Sequence, residues 1–99
     1  MLIYVCSPLR GNIENNVAKA KDYCKYVIEQ GHIPIAPHVM YYGVLDDNIP
    51  QERMTGINIG NTLLMKCDEL WYFGDTTSEG MKAEIHIATL LKIPTRRIK

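Results

Sequence analysis

Met1-Leu2-Ile3-Tyr4-Val5-Cys6-Ser7-Pro8-Leu9-Arg10-Gly11 is the stretch that decides how this chain is read. Leu2 to Cys6 is continuously apolar, the pattern of a strand covered on both faces in a parallel sheet. Ser7 to Gly11 then forms a loop, and a helix-like run opens just beyond it. A strand feeding a helix through such a loop is the first unit of an α/β fold, whose strand carboxyl ends face the ligand crevice. Backbone N–H groups and a helix N-terminus at that point suit an anion. Arg10 adds a planar fork of donors matched to phosphate or carboxylate.

Downstream, strand-like and helix-like runs alternate. Ile13, Val17, Ala20, Cys24 and Val27 recur at helical spacing, with Asn12 placed to cap the start and Gly31 to end the helix. Ile33-Pro34-Ile35-Ala36 reads as a short second strand, and its prolines point to a strand end or sheet edge. His38 to Asn48 reads as a polar and aromatic loop. Pro50 opens a helix to about Met65. Glu69 to Phe73 is the third strand, Gly74 to Glu79 a turn, Gly80 to Leu91 the last helix and Thr95 to Ile98 a final strand. The expected fold is therefore α/β, a three-layer Rossmann-like (flavodoxin-like) sandwich around a parallel sheet of four to five strands, with residues 1–99 as one domain.

The chain has 99 residues, and its eleven basic and eleven acidic side chains cancel. Zero net charge argues against a nucleic-acid polymer or an anionic membrane as partner. The basic end, Arg96-Arg97-Ile98-Lys99, reads as solvated charge. A core this small leaves room for a second copy to complete the structure. Three cysteines, Cys6, Cys24 and Cys67, with no C-x-x-C spacing suggest neither a disulfide framework nor a zinc site. No secretory h-region, membrane span or lipidation motif is seen, so a reducing cytoplasm is the expected compartment.

Three strand ends lead into polar loops. The first carries Ser7, Arg10 and Gly11, the second His38 and the loop with Tyr41, Tyr42, Asp46 and Asp47, the third Asp75, Ser78 and Gly80. In an open parallel sheet these loops gather on one edge and can converge on one ligand. Glu84 is the most suggestive single residue. Met81, Ile85, Ala88 and Leu91 form the inward stripe of the last helix, and Glu84 shares that side. A carboxylate there costs free energy unless it is paired, hydrogen-bonded or open to a cavity. A favourable helix dipole, or pairing with Lys82 or Lys92, is the structural explanation; a nucleophile or a stabiliser of positive charge, as in glycosyl transfer, is the chemical one. Asp46, Asp47 and Asp75 are candidates for a second, assisting acid, although turn-forming acids are commoner. Ser78 is a helix cap that either touches a ligand or does not. No P-loop or dinucleotide fingerprint is present, and the histidines lack metal-ligand spacing.

These residues together resemble the nucleoside 2-deoxyribosyltransferase superfamily, including its 2′-deoxynucleoside 5′-monophosphate N-glycosidases. Tyr4 to Gly11 resembles the family's first strand and phosphate or sugar loop. Glu29 to Pro37 resembles its step into the second strand, Cys67 to Trp71 its third strand, and Ser78 to Ala88 its G-T-x-x-E-x-G-x-A helix start. The resemblance implies that Glu84 is the nucleophile attacking C1′, that Ser7, Arg10 and Ser78 hold a 5′-phosphate, and that Tyr4 lies near the sugar. It implies a small-molecule nucleoside or nucleotide as ligand, no metal or organic cofactor, and a homodimer or higher homo-oligomer. Met81 and His86 depart from the motif around Glu84, and Ile57 and Asn58 stand where the N-glycosidases carry an assisting aspartate. Asp46 or Asp47 is the substitute. A nucleotide-binding module without turnover is the alternative reading, and a flavin mononucleotide carrier a third.

Overall fold

The structure is a computed structural model and describes residues 1–98; Lys99, the last charge of the basic end, lies outside them. In chain order the elements are β1 (Leu2–Cys6), α1 (Ile13–Glu29), β2 (Ile33–Ile35), α2 (Pro37–Met40), α3 (Pro50–Met65), β3 (Glu69–Phe73), α4 (Glu79–Leu90) and β4 (Thr95–Ile98). Four parallel strands form one sheet in the order β2-β1-β3-β4. The α/β sandwich expected from the sequence is thus present, with four strands among the described residues. Pro34 lies in β2, an edge strand, where a missing backbone donor costs least.

Period-two alternation sorts the core into two layers. Ile3, Val5, Trp71 and Phe73 turn to one face and pack with Val27, Tyr23 and Cys24 of α1. Tyr4, Cys6 and Leu70 turn to the other face and pack with Leu64 of α3 and with Met81 and Ala88 of α4. On the α1 side, Tyr23 stacks on Phe73 with ring centroids 4.5 Å apart. The strand order reverses at β1: the chain steps outward to β2, then crosses back to β3 on the other side. Loops leaving β1 and β3 therefore part toward opposite faces, and a crevice opens between them at the carboxyl ends of both strands.

Local chemistry accounts for the helix ends. Asn12 Oδ1 accepts the Asn15 N–H at 3.2 Å to start α1, and Gly31, at φ +86, ends it in a conformation few other residues adopt. Ser78 Oγ accepts the Met81 N–H at 3.3 Å and starts α4 at Glu79. One difference from the sequence reading is the stretch after β2. It is not loop throughout, because Pro37 occupies the first position of a one-turn helix, α2, that carries His38. The proline's fixed φ and absent N–H suit that position.

Leu64 of α3 is fully buried against the sheet, packed with Tyr4, Leu70 and Met81. Leu64→Ala is expected to lower stability by about 2–5 kcal/mol, measured as a shift in the urea midpoint at unchanged slope.

Candidate functional site

A pocket of about 710 Å³ lies over the crevice at the carboxyl end of β1. Five segments wall it: the β1–α1 loop, α2 with the loop after it, α3, and the start and second turn of α4. Glu84 is at its base. The carboxylate is hidden from most solvent and is held by two donors of β1, the Tyr4 hydroxyl on Oε2 and the Cys6 thiol on Oε1, the latter at 3.6 Å. The Met81 carbonyl, 3.9 Å from Cys6 Sγ, is that thiol's other acceptor. Tyr4 and Cys6 are two residues apart and so emerge on the same sheet face, toward α4.

The electrostatics of this group follow from burial. Desolvation pushes the Glu84 carboxyl above the usual glutamate range, and the hydrogen bonds from Tyr4 and Cys6 pull the other way. Burial, and then the neighbouring Glu84 charge, drive the Tyr4 and Cys6 protons far upward, so both remain donors. Among the described residues the ion pairs are Arg10–Asp47 and Lys82–Glu79. Lys82 is thus turned to Glu79, and no cation among the described residues is paired with Glu84. Gly60 of α3 belongs to the same cluster, since a Cβ built there would stand 3.2 Å from the Tyr4 hydroxyl. The absent side chain lets α3 approach that hydroxyl.

On the opposite wall Ser7, only 6% exposed, places Oγ 2.8 Å from His38 Nε2. Burial lowers the His38 pKa to about 4, so the ring is neutral at pH 7. A base tuned that low is poorly matched to activating a serine at neutral pH, and the pair reads as a positioned hydrogen bond facing the pocket. Above it, Arg10 Nε meets Asp47 Oδ2 at 3.1 Å, joining the first loop to the long loop. Asn16 Nδ2 donates to the Leu9 and Arg10 carbonyls at 2.9 and 3.1 Å, which fixes the backbone under Arg10. Asp46 is engaged in turn formation: its Oδ1 accepts the Asn48 N–H at 2.9 Å, while its own N–H donates to Glu52 Oε1 at 3.0 Å.

Of the residues expected from sequence, Tyr4, Ser7, Arg10, His38, Asp46, Asp47, Ser78, Gly80 and Glu84 all border this pocket. Asp75 does not. It lines a separate depression of about 280 Å³ with Asn16, Lys19 and Tyr23, on the α1 side. Gly11 lies next to Arg10 at φ +98 and gives the loop its turn without bordering the pocket. On α3 the sequence reading pointed to Ile57 and Asn58, of which Ile57 lines the pocket; it missed Arg53, Gly56, Gly60 and Asn61, which face the pocket from the same helix. Its available signal was Gly56 and Gly60, four apart in a helix, where glycine is costly unless something must come close. Among the described residues, no three His, Cys, Asp or Glu side chains gather so as to hold a metal ion, and no helix is long and apolar enough to cross a membrane.

His38 gives this site a measurable pH signature. The unfolded chain takes up a proton on this ring near the ordinary histidine pKa, the folded chain only near about 4. Between those values the unfolded state binds more protons, so the ring's contribution to stability is lost as pH falls. Wild type is expected to lose stability relative to His38→Gln across that window, checked by urea unfolding of both proteins from pH 7 to pH 4.

A solved structure of similar shape is that of a 2-deoxyribosyltransferase from the psychrotolerant bacterium Bacillus psychrosaccharolyticus. It superposes with a TM-score of 0.71 at 18% identity, over 98% of this chain and 71% of that one. At that identity the likeness establishes the shared fold. No match is found among curated proteins. Residues 1–98 match the family described as Domain of unknown function (DUF7768), and the chain belongs to that family.

Proposed function

We propose that this protein breaks or exchanges the N-glycosidic bond of 2′-deoxynucleosides or their 5′-monophosphates, with Glu84 as nucleophile. The observation that carries this reading is the Glu84 carboxylate itself, buried without a cation at the base of a pocket and oriented by Tyr4 and Cys6. Such a group suits attack on an anomeric carbon whose transition state carries positive charge. Glu84 forms a bond to C1′ as the bond from C1′ to the base nitrogen breaks, and that electron pair leaves with the base. Water then releases the sugar, or a second base accepts it. Both donors stabilise the carboxylate as a leaving group in this second step. Every group in the scheme comes from the chain or the substrate, without a metal or organic cofactor.

The remaining roles follow from position. Tyr41 and Tyr42, on the long loop, offer aromatic faces for the base. Ser7 with His38, and Arg10, face the end of the ligand away from Glu84. Asp47 is engaged with Arg10, so Asp46 is the loop acid whose carboxylate is not committed to a cation and is the better candidate to assist base departure. The apolar side chains of Val44 and Ile57 line the pocket and stand exposed, which suits cover by a second copy of the chain in a cytoplasmic homo-oligomer. One observation favours the alternative of nucleotide binding without turnover: Ile57 and Asn61, rather than an acid, face the pocket from the middle of α3.

Incubation with a panel of 2′-deoxynucleosides and their monophosphates, with and without an acceptor base, tests the proposal by chromatography. Release or exchange is expected in wild type and its loss, by about 10³-fold or more, in Glu84→Gln. Ligand binding with no product from any substrate would replace the enzyme reading by the binding module. Because Glu84 must be ionised to attack, and burial raises its pKa, the acid limb of the rate profile is expected above the ordinary glutamate range. Rates measured from pH 4 to pH 8 check it; a limb at the usual glutamate value would assign the step to another group.

A further inference from the structure

The charges around the pocket are unbalanced. Among the described residues, two arginines and five acids line it. Arg10 is bound to Asp47, with side chains 58% and 24% exposed respectively. Arg53, the other arginine, faces the pocket from α3 with its side chain exposed, and it is in no ion pair among the described residues. Asp46 and Glu84 complete the acidic lining except for Glu79, which is turned to Lys82. His38, neutral because it is buried, adds no positive charge. The start of α4 is the feature most favourable to an anion, yet its Met81 amide is taken by Ser78 and its first turn adds the Glu79 carboxylate.

We propose that Asp47 is the specificity-determining residue of this pocket: held against Arg10 Nε, it sets a carboxylate beside any anion that reaches the guanidinium and so favours an uncharged 2′-deoxynucleoside over its 5′-monophosphate. The inference rests on the glycosyl-transfer reading for its ligand class. A phosphate entering beside Ser7 and approaching Arg10 meets the Asp47 carboxylate held on Nε, a like charge next to a dianion. Like charges so placed reject the wrong ligand as effectively as contacts select the right one. A sugar 5′-hydroxyl brings no such conflict, because the Ser7–His38 pair offers it a neutral hydrogen-bonding partner. The pair is also geometrically prepared. Asn16 holds the Arg10 backbone from α1, and the Asp46–Glu52 and Asp46–Asn48 hydrogen bonds hold the loop that carries Asp47.

The test compares each of the four common 2′-deoxynucleosides with its own 5′-monophosphate. Equilibrium binding by calorimetry and base release by chromatography are read separately, on wild type, Asp47→Asn and Asp47→Asn/Arg10→Gln. Wild type is expected to favour the nucleoside by about tenfold or more, and Asp47→Asn to move that ratio toward the monophosphate by about tenfold. The double variant should lose the shift, since the freed Arg10 produces it. Asp47→Ser serves if the asparagine variant is poorly folded. Wild-type preference for the monophosphate, an unchanged ratio in both Asp47 variants, or binding of neither class overturns the proposal. Selective nucleoside binding that shifts in Asp47→Asn, without base release from any substrate, upholds the role of Asp47 and overturns the glycosyl-transfer reading alone.

Discussion

A carboxylate fixed against the underside of a sheet is the constraint on which this structure turns. Glu84 sits on the stripe of α4 that packs onto β1, where an apolar side chain would ordinarily lie. Its oxygens are tolerable there because β1 supplies a hydroxyl and a thiol to meet them. Tyr4 and Cys6 are themselves members of the core layer between sheet and helices. The polar cluster is therefore a continuation of the packing, and α4 cannot slide or rotate along β1 without breaking it. Gly60 extends the same constraint to α3, whose backbone must come near the Tyr4 hydroxyl.

Much of this could be read from the chain before any coordinates. The strands appear as short apolar runs and the helices as repeats of three and four. That contrast in period places β1, α1, β3 and α4, whereas α3 is announced by Pro50 at its start and α2, a single turn, leaves no periodic trace. Glu84 declares itself for the same reason, as a charge on an apolar stripe. The convergence of loops follows from parallel topology alone, and it brings Ser7, Arg10, His38, Asp46, Asp47 and Ser78 around one pocket.

What stayed hidden depended on contacts between segments far apart in sequence. Cys6 reads as a small core residue, and only the packing of α4 across β1 turns it into a donor to Glu84. The pairing of Arg10 with Asp47 spans 37 positions and depends on how the long loop folds back through the Asp46 turn. Asp75 looks equivalent to Ser78, three residues on, yet it lies on the other side of the sheet edge. Gly74, at φ +106 and packed near Pro8, turns the chain toward α1 before it reverses into α4. A backbone bend of that kind has no hydrophobic period to announce it.

The sharing of β1 between core and pocket has a consequence for how such a chain can change over time. Removing the Glu84 carboxylate takes the acceptor from the Tyr4 hydroxyl, a buried donor at the pocket base, and an unsatisfied buried donor is costly. A lineage that loses Glu84 therefore has reason to replace Tyr4 with it, by an apolar pair of similar volume. One that keeps both has retained a polar cluster that packing alone does not require. Among related chains these two side chains are thus expected to be kept or lost together.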